Sequence, residues 1–160
     1  MDMQNRFSQD ESLLIATRME SRAIALYEQA SLVFALGELK PVLHELLEAE
    51  KEHLQIFNRL LKQENPVPPA RLRALEEEAG ASLFGEGLEG AVHEGAFDSA
   101  VSLLMYAADE EERSAGRYRA FAENAQGEAR KAFLFIAHQE DAHLRRLQGE
   151  VKAHKSRLNG

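Results

Sequence analysis

Read for hydrophobic periodicity, the chain contains four long segments in which apolar residues recur at steps of three and four, the spacing of an amphipathic helix. The first runs from about Gln9 to Leu36, behind the cap-like "SQDE" and ahead of Gly37. The second opens at Pro41, a good first-turn residue, and ends before "NPVPP". The third follows "FDSA" and reaches about Ala125; the fourth follows Gly127 and fades near Val151, leaving a basic tail, "KAHKSRLNG". Two short connections, "GELK" and "NAQG", predict two antiparallel hairpins, 9–62 and 97–152. Between them lies a stretch, 63–96, that holds most of the proline and glycine and one short helical piece, "PARLRALEEEAG". A helix of about 24 residues is roughly 36 Å long, so this stretch is long enough to cross back along a whole bundle. The expectation is a single all-α domain over 1–160, a four-helix bundle with one long crossover between its second and third helices.

Each apolar stripe is interrupted by one glutamate, and the second and fourth also by a histidine. The first, Leu13, Ala16, Ala23, Tyr27, Ala30 and Phe34, passes through Glu20. The second, Leu43, Leu46/Leu47, Leu54, Phe57 and Leu60/Leu61, passes through Glu50 and His53. The third, Val101, Leu104, Ala108, Ala115, Tyr118 and Ala122, passes through Glu111; the fourth, Phe133, Ile136/Ala137, Leu144, Leu147 and Val151, passes through Glu140 and His143. Residues three apart share a helix face, so Glu50/His53 and Glu140/His143 can each grip one ion. The placements repeat within the chain: thirty positions separate Glu20 from Glu50, twenty-nine separate Glu111 from Glu140, and "ESRAIALY" matches "EERSAGRY" as glutamate, six residues, tyrosine. This reads as a pseudo-twofold built from two copies of one hairpin.

A lone Glu-x-x-His on a helix is usually a solvated surface feature, and a lone glutamate in a seam is often a misread register. Six such residues in matching places on four helices demand a common cause. Burying unpaired carboxylates costs several kcal/mol each, and four together also repel one another, so protons or cations must sit between them. Four carboxylates with two neutral imidazoles carry −4, which two divalent cations neutralise. One glutamate from each of two helices plus Glu-x-x-His from each of the other two is the pattern of di-iron and di-manganese carboxylate sites in ferritin-like bundles with one crossover.

Composition narrows the chemistry. The chain has no cysteine, which removes disulfides, thiolate metal sites and cysteine catalysis. A net charge of −8 without a basic stripe argues against nucleic acid and anionic membranes. No apolar run approaches the ~20 residues of a membrane helix and no secretory signal is evident, so a cytoplasmic protein is expected. Asp109, Glu110 and Glu112 lie off the third seam and are expected to be solvated. His44, His93, His138 and His154 fall outside the matched pattern and read as surface or packing histidines. The methionines are few and scattered, with no arrangement for haem.

In "ESRAIALY", "EAEKEHL", "EERSAGRYRAFAENA" and "FLFIAHQEDAHLRRL", which cover the four helices but not the linker, the sequence resembles the rubrerythrin-like branch of the ferritin-like superfamily. The resemblance implies a di-iron centre in which Glu50 and Glu140 bridge, Glu20 and Glu111 are terminal ligands, and His53 and His143 bind one iron each. It implies redox chemistry with peroxide or dioxygen, in a homodimer or higher homo-oligomer. The full-length family adds a small rubredoxin domain on four cysteines; this chain has none, so electrons are expected from a separate donor such as a rubredoxin-like protein. Peroxidase members also carry an extra core carboxylate about a turn from the third-helix ligand, where this chain has Ala107, Ala108, Ser114 and Ala115.

Tyr27 and Tyr118 fall two turns after Glu20 and Glu111 on the same faces, placed for their hydroxyls to orient ligand carboxylates; the alternative is a core aromatic with some other partner. The same six donors would serve a ferritin-type ferroxidase or iron-handling protein, which differs in assembling a shell. They also suit manganese or zinc. A helical interaction module with structural metal or none is the third reading, which a metal content near zero would favour.

Overall fold

The structure, a computed structural model, describes residues 7–35, 37–61, 67–82 and 87–158, with side chains throughout except at 79–82, 87–89 and 158. The described residues form six helices and no strand: α1 Gln9–Val33, α2 Lys40–Leu60, α3 Pro69–Ser82, α4 Gly87–His93, α5 Ala100–Glu123 and α6 Gly127–Leu158.

Local chemistry explains where the helices begin. Ser8 caps α1 in a reciprocal box with Glu11, each side chain accepting from the other's backbone N–H (3.1 and 3.0 Å). Pro41 sits in the first turn of α2, where its missing N–H costs nothing. Ser99 caps α5, accepting from the Ser102 N–H at 3.0 Å. α4 ends in a left-handed residue, Gly95 (φ 80°), with Ala96 N–H returning to Ala91 O and Gly95 N–H to Val92 O. Its positive φ is what makes the turn into α5 need glycine, since a Cβ would meet only the mobile end of Asp98.

Side-chain pairings give the helix directions. Tyr27 reaches Glu111 while Tyr118 reaches Glu20, so α1 and α5 run antiparallel. On α2 and α6, Glu45 meets Arg146, Glu50 meets His143, His53 meets Glu140 and Phe57 meets Phe133, again antiparallel. α5 packs closely on α6 and α1 on α2. The core is continuous from Leu13, Leu43 and Leu46 to Tyr118, Phe121, Phe133 and Ile136.

The linker is more structured than its proline and glycine content predicts. The helical piece expected at 69–80 is α3, and α4 is a second helix that the periodicity did not reveal; residues 62–66 and 83–86 lie outside the described set. α3 runs alongside α1 in the same direction, since Arg71 holds Glu11 and Glu76 meets Arg18 (3.6 Å), and Glu78 ties it to Arg117 of α5. α3 and α4 therefore cover α1 from outside. That cover explains why Ile15, Met19 and Leu26, off the predicted seam of α1, are as buried as the seam itself.

The basic tail is also corrected. α6 does not fade near Val151 but continues to Leu158. Lys152–Arg157 contains no proline or glycine, and its cations suit the negative end of a helix. Arg157 pairs with Glu38 in the α1–α2 connection, anchoring the extra turns. Among the described residues no helix is long and apolar enough to cross a membrane.

Candidate metal centre

The interruptions in the four stripes meet in one place. Glu20 on α1, Glu50 and His53 on α2, Glu111 on α5 and Glu140 on α6 are each at most 3% exposed, and His143 on α6 shows 12% of its side chain. Their donor atoms form two groups, each within 4.8 Å: Glu20, Glu50, His53 and Glu140 in one, Glu50, Glu111, Glu140 and His143 in the other. Glu50 and Glu140 belong to both.

Glu140 shows the sharing at atomic level. Its Oε1 lies 3.2 Å from His53 Nδ1 and its Oε2 lies 3.7 Å from His143 Nδ1. Glu50 Oε1 lies 3.9 Å from His53 Nδ1 and 3.8 Å from His143 Nδ1. Glu20 Oε1 stands 3.6 Å from His53 Nδ1, and Glu111 Oε2 stands 3.8 Å from His143 Nδ1, completing the two sets. The two imidazoles lie nearly parallel, with centroids 6.1 Å apart.

These spacings suit cations. Donors ~2.1 Å from a common ion lie about 3.0–3.4 Å apart when adjacent and about 4.2 Å apart when opposite. The hydrogen bonding gives an independent test of fit. Glu20 Oε2, Glu50 Oε1, Glu111 Oε2, both oxygens of Glu140 and the Nδ1 of both histidines are buried with no hydrogen-bond partner. Orphaned buried polar atoms are rare and individually costly. Here they converge on one volume, and their chemistry, hard carboxylate oxygens with imidazole nitrogen, is that of iron, manganese or zinc ligation. The residues fit metal ligation.

Without a cation, protons hold the cluster together. Burial, reinforced by the charges of Glu140 and Glu20, pushes the Glu50 carboxyl well above the usual carboxylate range. Burial works against a charged His53, but the carboxylates of Glu140 and Glu20 close to its ring outweigh it and hold its pKa at about 10. Burial likewise opposes ionisation of Glu140, yet His143 and His53 keep its carboxyl below the ordinary range.

The tyrosines at Glu+7 lock the arrangement crosswise. Tyr27 Oη donates to Glu111 Oε1 at 2.8 Å and Tyr118 Oη donates to Glu20 Oε1 at 2.7 Å, each serving the glutamate of the opposite helix. The sequence showed the matched spacing; only the antiparallel packing of α1 on α5 reveals the exchange. The bond to Glu111 leaves its Oε2 facing His143, whereas Glu20 turns the same Oε1 toward both Tyr118 and His53. Both tyrosines are fully buried, and burial with the surrounding carboxylates raises their pKa values well above the ordinary one, so they remain donors. Phe57, Tyr118, Phe121 and Phe133 pack with centroids 5.2–6.5 Å apart and wall one side of the site from water.

Two residues escaped the sequence reading. Gln139 Oε1 lies 2.6 Å from His53 Nε2, so the amide oxygen accepts that N–H and, in the neutral ring, leaves the Nδ1 lone pair facing the carboxylates and any cation among them. Its position one residue from Glu140 gave no signal, because neighbours on a helix point about 100° apart. Glu110 is the other, and the expectation that it is solvated is overturned: it is 3% exposed. Its Oε1 accepts from Arg113 Nη1 at 3.3 Å, and its charge is felt at Tyr27 and Tyr106, so the buried arc of α5 is wider than one seam. Asp109 and Glu112 are exposed as expected, as are His44, His93 and His138; His154 is half-buried, its Nδ1 3.0 Å from Glu150 O.

Comparison with protein-family models, with curated proteins and with solved structures finds no match to this chain.

Proposed function

We propose that this chain is a di-iron carboxylate protein, a rubrerythrin-like member of the ferritin-like superfamily in which α1, α2, α5 and α6 make the four-helix bundle and α3 and α4 the crossover, and that it reduces peroxide or dioxygen with electrons from a separate donor. One observation carries this reading: Glu140 divides its two oxygens between His53 and His143 while Glu50 faces both, as bridging ligands must. Glu20 with His53 would complete one metal position, and Glu111 with His143 the other. Iron bound there supplies paired one-electron couples for reducing a small oxidant. The chain's own residues define the setting for that chemistry. Tyr27 and Tyr118 hold the terminal carboxylates in orientation, Gln139 fixes the His53 tautomer, and the aromatic wall keeps bulk water from one side. Self-association and a cytoplasmic setting complete the proposal.

The test is elemental analysis followed by an oxidant assay. Protein expressed with iron should carry close to two irons per chain, and the reduced form should consume peroxide or dioxygen when supplied with electrons. Fewer than about one metal per chain, or indifference to both oxidants, would falsify the redox reading. Assembly into a closed shell, read by light scattering, would redirect it to iron storage.

A further inference from the structure

A groove of about 420 Å3 lies on the outer side of the α2–α6 seam. Ile56 and Leu60, one turn apart on α2, form one wall, and Ala132 and Phe135 of α6 form the other. The core beneath explains it. Phe57 and Phe133 meet there with ring centroids 5.4 Å apart and hold the two helices at a distance, while Ala132 has only a methyl to fill the space outside. Phe135 is 53% exposed, and among the described residues it is the only phenylalanine or tyrosine left in solvent. An exposed ring beside half-buried aliphatic side chains gains from being covered.

The rim of the groove is cationic. Arg59 from α2 and Lys131 from α6 are exposed there, and among the described residues neither has an ion-pair partner. Arg71, Arg117, Arg146 and Arg157 each hold a carboxylate, as expected in a chain with 27 acidic and 19 basic residues. Glu128 is the one acid at the groove. A second cleft, between α1 and α3, lacks this character: its Arg18 already meets Glu76 at 3.6 Å, and Ala25 is its one apolar wall. Apolar walls with a few charges that fix orientation, enclosing a few hundred Å3, are the usual form of a small-molecule site. We propose that the α2–α6 groove binds a medium-chain carboxylate, its hydrocarbon against Ile56, Leu60, Ala132 and Phe135 and its head group at Arg59 and Lys131. From Glu128 to Phe135 the groove follows roughly 10 Å of α6, which suits an acyl chain of medium length. The inference is independent of the redox reading, since none of these residues is a proposed metal ligand.

The test is calorimetric titration of the full chain with hexanoate, octanoate and decanoate, each below its critical micelle concentration, with octanol as the uncharged control. Affinity should rise roughly 3- to 10-fold for each added pair of methylenes, and octanoate should bind roughly 3-fold tighter than octanol. Phe135→Ser should weaken decanoate binding about 10-fold. Lys131→Glu should weaken octanoate binding by a similar factor and leave octanol unchanged. Both positions are exposed, so the melting temperatures should stay at the wild-type value. If one variant unfolds, the other variant and the wild-type chain-length series still decide. Affinity indifferent to chain length, octanol bound as tightly as octanoate, or wild-type decanoate binding in Phe135→Ser overturns the inference. So does a wild-type dimer that Phe135→Ser dissociates, which assigns the groove to a second copy of the chain.

Discussion

Glu50 is where folding and function pull in opposite directions. Its carboxyl is fully buried between Glu20 and Glu140, and the metal-free protein must keep it protonated, at a free-energy cost that grows with pH. Glutamine imitates the protonated acid in shape and charge. Glu50→Gln should therefore raise the melting temperature of the metal-free protein at pH 8, consistent with the ~1–4 kcal/mol often gained when buried ionic groups are neutralised. The same change should drop bound metal below one per chain, since an amide cannot bridge. Calorimetry and elemental analysis of one preparation check both; a lower melting temperature with full metal content would remove Glu50 from the site. The tyrosines predict a milder effect. Tyr27→Phe and Tyr118→Phe each delete a 2.7–2.8 Å bond to a carboxylate and should weaken metal affinity about 10- to 100-fold in chelator competition, with the helical circular dichroism signal intact.

The helices differ in how openly the sequence announced them. Stripes confined to one side of a helix, such as Leu43, Leu46 and Phe57 on α2, were legible because 3.6-residue periodicity and one buried face coincide. The glutamates and histidines were legible for the same reason, as polar residues at core register. α1 was only half legible: Ile15, Met19 and Leu26 are buried by α3 and α4, and no local pattern tells a helix that it will be covered twice. α4 is a single short helix in a glycine-rich stretch and gives periodicity too few turns to register. The pseudo-symmetry of the two hairpins also hid a difference that packing creates. The His53 half is wholly buried and braced by Gln139, whereas the His143 ring is partly exposed with its Nδ1 inside, so its outer edge meets solvent. Metal removal should follow that difference. With excess chelator, zinc-loaded protein should lose metal in two phases of equal size, and Gln139→Leu should accelerate the slow one; a single phase in wild type would show the halves to be equivalent.

For the whole molecule, the site makes stability a function of both metal and pH. In the metal-free protein Glu50 and His53 both bind their protons more tightly folded than unfolded, so each contributes stability that drains away as pH rises. For Glu50 the loss begins above the ordinary value of 4.5; for His53 it runs from 6.5 to about 10. Glu140 has the opposite sign: its contribution is present in full above 4.5 and is lost only as pH falls below that value, so it adds no slope at higher pH. Between pH 6.5 and 9 the first two therefore dominate, and the melting temperature of the metal-free protein should fall steadily. Metal reverses the slope, because cations displace those protons and bind better as pH rises. Free metal at 100 times its dissociation constant stabilises by about 2.7 kcal/mol, roughly 5–10 °C for a chain of this size. Melting curves at several pH values, with and without zinc, should diverge as pH increases. Parallel curves would mean that the glutamates and histidines brought together by α1, α2, α5 and α6 do not exchange protons for metal, and the cluster would then be a buried ionic network with no cation of its own.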